Sequence, residues 1–282
     1  VAREFLTDGG HFMRAGDDLA LGESMSAFIW VLPNIGPSSN DFRYMTKQLG
    51  GAEADHDWML SNDHAGNPKP RVRMRRNSQP QTFVSASAHG TISGWWLIGF
   101  TYDGPSNSGV MYINEEQWTL FSHDETTGDI DNRATANVWA CSGTDTGHSP
   151  QSKLGNYGIW DEALTLDEVT AMALGGVHFL KIRPESLMRL WLFDEIGVGG
   201  SEIFQDITGS GDNMARDTGT ISSVTNGPPV SVHIIGGYPI LRRDVVGAPD
   251  VFLELEAQTQ PQAELTLEIT HALEIEAETQ PQ

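Results

Sequence analysis

The chain of 282 residues carries 17 Lys plus Arg against 38 Asp plus Glu, and its formal charge of −21 argues against nucleic acid and anionic membrane as partners of the whole body. Its one cysteine, Cys141, permits no intramolecular disulfide, no apolar run approaches membrane-spanning length, and the opening Val1-Ala2-Arg3 does not resemble a secretory signal. The expectation is a protein made in a cytoplasm and stabilised by burial, with one large all-β domain plus an appendage.

Residues 1–32 hold two candidate strand regions. The first, REFLTDGGHFMRAGDDLALG, places a Gly-Gly turn between short apolar runs, and the second, MSAFIWVLP, reads as a buried strand ending at Pro33. Breaks at Gly50-Gly51, Asn62 and Pro68 then separate candidate strands at 42–49, 56–61 and 71–76. His56, Asp57, Asp63 and His64 lack the spacing of a zinc site, so they read as surface residues of a hairpin. Within KPRVRMRR, strand alternation puts Lys69, Arg71, Arg73 and Arg75 on one face and Val72 and Met74 on the other, with Arg76 following. The run reads as a basic outer face beside an acidic neighbour or another subunit, and it offers few phosphate contacts for nucleic acid.

The stretch GWWLIGFTYDGPSNSGVMYINEEQW reads as a hairpin, with strands at 95–102 and 109–113 around a polar loop at 103–108. Glu115 stands where a tight Asn-Gly turn would have its glycine, which predicts a longer loop over 114–117. In the acidic segment SHDETTGDIDNR, Asp124, Asp129 and Asp131 offer the oxygens that calcium wants, but without the EF-hand pattern they read as an exposed loop. A strand at 136–141 follows, with Cys141 as a buried structural thiol.

Residues 154–176 form a strand, a turn at Asp161-Glu162, and a short helix. Thr165 and Glu168 make a capping box, Gly175 can take the left-handed closing position, and Leu166, Val169, Ala173 and Leu174 form the apolar face. Further strands are expected at 188–193 and 203–207. Residues 227–250, rich in Pro and Gly, read as an extended linker. In the tail, 251–282, LELEAQTQPQ returns twenty residues later as LEIEAETQPQ. Leu253, Leu255, Leu265, Leu267, Ile269, Leu273 and Ile275 alternate with Glu or Thr, so short strands with one apolar and one acidic face are expected to self-associate or to pack on the main domain.

Four separated segments resemble the laminin-G-like domains of the concanavalin A-like jelly-roll superfamily. They are Phe28-Ile29-Trp30-Val31-Leu32-Pro33, the hairpin containing Phe100-Thr101-Tyr102-Asp103-Gly104 and Met111-Tyr112-Ile113-Asn114, the strand-turn-helix of 154–176, and the WLFDE…DITGSG pattern near 191–211. The resemblance covers about residues 3–220. It implies an all-β, antiparallel jelly-roll sandwich over 1–226 with one short capped helix, followed by the linker and the β tail.

No nucleophile elbow, P-loop or dinucleotide fingerprint occurs, and Gly128-Asp129-Ile130-Asp131-Asn132 only partly echoes the paired-carboxylate strand of the polysaccharide-cleaving relatives. The expectation is a non-enzymatic protein without a cofactor. In such a sandwich a rim of loops can hold a glycan, and Asp103, Asn107, Asn114 and Trp118 flank the signature hairpin where a sugar would sit. The fold together with the repetitive tail resembles bacteriophage virion proteins, which implies a head decoration, fibre or tail appendage on the virion surface. Such a protein would be a homo-oligomer, a trimer among the expected states, docked on other virion proteins. A solitary soluble lectin is the alternative.

Overall fold

The computed structural model describes residues 2–5, 13–15, 19, 21–33, 43–50, 55–63, 69–85, 94–133, 135–140, 152–174, 176–193, 203–204, 206–210, 212–216, 221–224, 231–235 and 238–242. In chain order the strands are β1 (Ala2–Phe5), β2 (Met13–Ala15), β3 (Met25–Pro33), β4 (Arg43–Gln48), β5 (His56–Asp63), β6 (Lys69–Arg76), β7 (Gln79–Val84), β8 (Trp96–Asp103), β9 (Ser108–Ile113), β10 (Glu116–Phe121), β11 (Asn137–Ala140), β12 (Ser152–Trp160), β13 (Leu187–Trp191), β14 (Ile203–Phe204), β15 (Met214–Arg216), β16 (Ile221–Val224), β17 (Ser231–Ile235) and β18 (Tyr238–Arg242). One sheet runs β10-β9-β8-β3-β12-β1-β16, with β13 also on β12, and the other runs β14-β15-β2-β11-β4-β5-β6-β7. Every neighbouring pair is antiparallel, as expected for a jelly-roll sandwich.

Period-two alternation explains why the first sheet carries apolar residues on both faces. In β3, Met25, Ala27, Ile29 and Val31 face the inter-sheet core, while Phe28 and Trp30 belong to a second cluster on the outer face. Helix α1 (Leu166–Ala173) and a 3-10 turn at Phe179–Lys181 supply Val169, Met172 and Phe179 to that cluster. The helix is therefore a cover for the sheet.

The capping box forms as read, but the buried helix residues are Val169 and Met172. Leu166 and Leu174, expected on the apolar face, are 42% and 66% exposed. Gly175 lies outside the described residues, and its neighbour Gly176 has a left-handed backbone (φ 58°).

Other expectations change as well. The strands on either side of the Gly-Gly segment are not partners of each other: β1 pairs with β12 and β16, while β2 pairs with β11 and β15 in the opposite sheet. Ile113 pairs directly with Glu116, so Asn114-Glu115 is a two-residue turn and not a longer loop. Asn114 tolerates the left-handed backbone (φ 56°) that a glycine would otherwise supply. In KPRVRMRR, Val72 and Met74 do face the core, yet the arginines do not form an exposed basic face. Arg71 and Arg73 are buried, Arg76 is fully buried, and Arg75 Nε reaches Asp131 Oδ2 at 2.8 Å. His56 and Asp57, read as surface residues, are also fully buried. Within 227–250, β17 and β18 pair as a hairpin of their own, where an extended linker was expected. Cys141 and the tail beyond 250 lie outside the described residues.

Candidate functional site

β8 and β9 lie side by side, pairing Gly99 with Tyr112, Thr101 with Val110 and Asp103 with Ser108. Partners across a ladder share a face, so Thr101, Asp103, Ser108, Val110 and Tyr112 form one strip on the outer side of the first sheet. This strip is one wall of a groove of about 530 Å³. The segment from Glu162 to Leu166, with Arg183, forms the other wall, and Ser24 and Ser106 lie at its polar end.

Local hydrogen bonds fix both walls. Ser26 Oγ donates to Glu162 O at 2.8 Å and accepts from Leu164 N at 2.9 Å, which hangs the loop before α1 on β3. Asp161 N donates to Ser186 O at 3.0 Å. On the strand side, Ser24 Oγ accepts from Gly104 N at 3.0 Å and lies 3.5 Å from Asp103 Oδ1, while Ser106 Oγ donates to Asp103 Oδ2 at 2.5 Å. Gly104 is required there, since a Cβ would stand 2.4 Å from Glu23 O.

Arg183 organises the charge. Its Nε donates to Glu168 Oε1 at 2.5 Å, and its Nη1 donates to Glu162 Oε2 at 2.8 Å and to Ala163 O at 3.4 Å. Its backbone is in the left-handed region (φ 39°), which is uncommon for a residue with a Cβ. Burial pushes the Glu168 carboxyl up, but the Thr165 amide and the Arg183 guanidinium outweigh it and hold the group below its ordinary range. Burial, with the Glu162 charge beside it, raises Asp161. Burial likewise raises the Tyr112 phenol, which stays a neutral hydrogen-bonding group.

The groove thus offers six hydroxyls (Ser24, Thr101, Ser106, Ser108, Tyr112 and Thr165), two carboxylates, one guanidinium and the apolar Val110 and Leu164. No histidine or cysteine lines it among the described residues. Such a surface suits a polyol, whose hydroxyls can donate to carboxylates and accept from hydroxyls.

Of the four sequence-derived rim residues, the groove brings in Asp103 alone. Asn107 sits in a left-handed turn (φ 50°), where its Oδ1 accepts from the Tyr102 hydroxyl at 2.7 Å and from His123 N at 3.0 Å, and its Nδ2 donates to His123 O at 2.7 Å. Asn114 accepts from Leu97 N at 3.0 Å, and Trp118 packs against the inter-sheet core. The seven tail positions from Leu253 to Ile275 lie outside the described residues. Glu162, Arg183, Ser24 and Tyr112 were not singled out from sequence, because they come from four distant segments. The only local signal was the Asp161-Glu162 turn.

Asp131, one of the calcium candidates, accepts from Arg75 Nε and from Ser78 N at 3.1 Å, and Asp124 N donates to Gln81 Oε1 at 2.7 Å. Asp129 is exposed. Among the described residues no three His, Cys, Asp or Glu side chains gather as a metal site would require.

No protein-family model matches the chain, and no curated protein matches it in sequence. Solved structures do match. A candidate carbohydrate-binding protein from Bacteroides ovatus superposes with a TM-score of 0.60 at 14% identity, covering 80% of this chain. This chain spans 60% of that protein's length. The CBM40 of a Ruminococcus gnavus sialidase, bound to α2,3-sialyllactose, matches at TM-score 0.47 and 13% identity over 61% of this chain and 96% of its own. A heptameric SAP-like pentraxin from Limulus polyphemus matches at TM-score 0.46 and 14% identity over 61% of this chain and 81% of its own. The likeness to the Bacteroides ovatus protein shows a shared β-sandwich fold.

Proposed function

We propose that the chain is a non-enzymatic glycan-binding protein that holds an oligosaccharide in the groove between β8–β9 and the 162–166 segment. The observation that carries this reading is the convergence of six hydroxyls, two carboxylates and an apolar strip on one open cavity of about 530 Å³. A fold shared with a candidate carbohydrate-binding protein is consistent with it. The test is a glycan array probed with the full chain and with Asp103→Asn and Thr101→Val. Binding that weakens in both variants supports the groove. Binding that neither variant changes places the sugar elsewhere, and release of reducing ends from a bound glycan would show hydrolysis.

We further propose that this module is displayed on a virion surface and assembles through its tail. The supporting observation is the twenty-residue repeat of alternating apolar and acidic positions, which cannot bury its apolar face within one short tail. Light scattering on the full chain and on a Leu265→Asp, Leu267→Asp variant tests the assembly step. A trimer or larger that falls to a monomer in the variant is expected, and a monomeric full chain overturns it.

A further inference from the structure

Charge in the groove points to the class of glycan that it accepts. Arg183 is the one cation among the lining residues, and its guanidinium is already committed to Glu168, to Glu162 and to Ala163 O. The Glu168 carboxylate is not free to yield: its Oε2 also accepts from Thr165 N at 2.7 Å and from Thr165 Oγ1 at 2.8 Å, so releasing it would uncap α1.

Across the groove, Asp103 is bonded only to hydroxyls, those of Ser24 and Ser106. Among the described residues no Lys, Arg or His comes within ion-pair distance of it. Two carboxylates, those of Asp103 and Glu162, thus line the groove with one guanidinium, which Glu168 also engages. A ligand carboxylate entering here would meet a like charge at Asp103 and compete for an arginine that already serves two acids. Both effects disfavour it. A hydroxyl or an ammonium would instead donate to carboxylate lone pairs that the protein leaves open.

We infer that the groove takes neutral or amino-bearing oligosaccharides and discriminates against uronic and sialic acids, an inference that rests on the glycan-binding reading above. The discrimination is electrostatic, so it acts on any acidic sugar whatever its linkage.

The test is an array in which neutral oligosaccharides are printed beside acidic counterparts: cellotetraose beside tetraglucuronate, and lactose beside sialyllactose. Deacetylated chitotetraose supplies the ammonium case in mildly acidic buffer. The full chain is expected to bind at least one neutral or amino-bearing member about ten-fold or more tightly than its acidic partner, a gap of about 1.4 kcal/mol. That ratio should shrink in high salt and in Asp103→Asn. Equal or tighter binding of the acidic members, with neutral binding intact, overturns the inference and leaves the glycan-binding reading standing. Absence of binding across the whole array overturns both.

Discussion

Arg76 Nη1 donates to the Tyr102 hydroxyl at 2.6 Å, and this contact ties β6 of one sheet to β8 of the other. The phenol hands its own proton to Asn107, while Arg76 Nε reaches Gly128 O at 2.7 Å and Nη1 reaches Glu125 O at 3.1 Å. Arg76 is fully buried, so these oxygens stand in for the water that the guanidinium has lost. Tyr102→Phe removes one acceptor and is expected to destabilise the fold by about 1–3 kcal/mol. A lower urea midpoint at an unchanged m-value would register it.

A second prediction concerns Lys47 and Asp57. Both side chains are 0% exposed, with Nζ 3.3 Å from Oδ2, and Asp57 also accepts from Arg133 N at 3.0 Å and Arg133 Nε at 2.5 Å. Asp57→Asn leaves a buried ammonium short of its counter-charge and should cost about 3–5 kcal/mol. Adding Lys47→Met should recover part of that loss. A double-mutant cycle measures the coupling, and strict additivity of the two single changes would contradict it.

Glu168 gives a pH prediction. Its folded pKa lies below the ordinary value of 4.5, so its contribution to stability is complete above that value and is lost as the pH falls through the lowered folded pKa. Melting temperature should therefore fall on acidification more steeply in the native protein than in Glu168→Gln. At neutral pH, Thr165→Ala should cost about 1 kcal/mol through loss of the cap.

Gly99 lies at the centre of the first sheet, where a Cβ would stand 2.2 Å from the Phe28 ring and 2.5 Å from Ala27 O. Phe28 is itself pinned against Trp160 and Tyr112, with ring centroids 6.3 and 5.9 Å away. Gly99→Ala should lower stability by about 1–3 kcal/mol through overpacking, as read by thermal melts.

The sandwich was legible in the chain because its signals are local. An apolar run ending at proline marked β3, alternation marked β6, and the Thr165 to Glu168 box marked α1. What could not be read was which face each element buries. Leu166 satisfies a helical period yet stays exposed, because the covering contacts come from Val169 and Met172. Strand β7 was missed although Asn77 and Ser78, at φ 47° and 63°, form the two-residue turn that leads into it. The arginines of β6 looked like surface charge because their acceptors, such as Asp131 and Gly128 O, belong to a loop more than fifty residues away. The groove was the least legible feature: Asp103 stands in the signature hairpin, but the wall facing it is set by folding.

That wall depends on very little. The Ser26 hydroxyl holds the approach to α1 at Glu162 and Leu164, and Ser186 holds it at Asp161. Between these anchors, the side chains of Glu162 and Ala163 can change without disturbing either sheet or the helix cap. A lineage could thus retune what the groove selects by substitution at these two neighbouring positions, keeping the costly two-sheet core constant while recognition diverges.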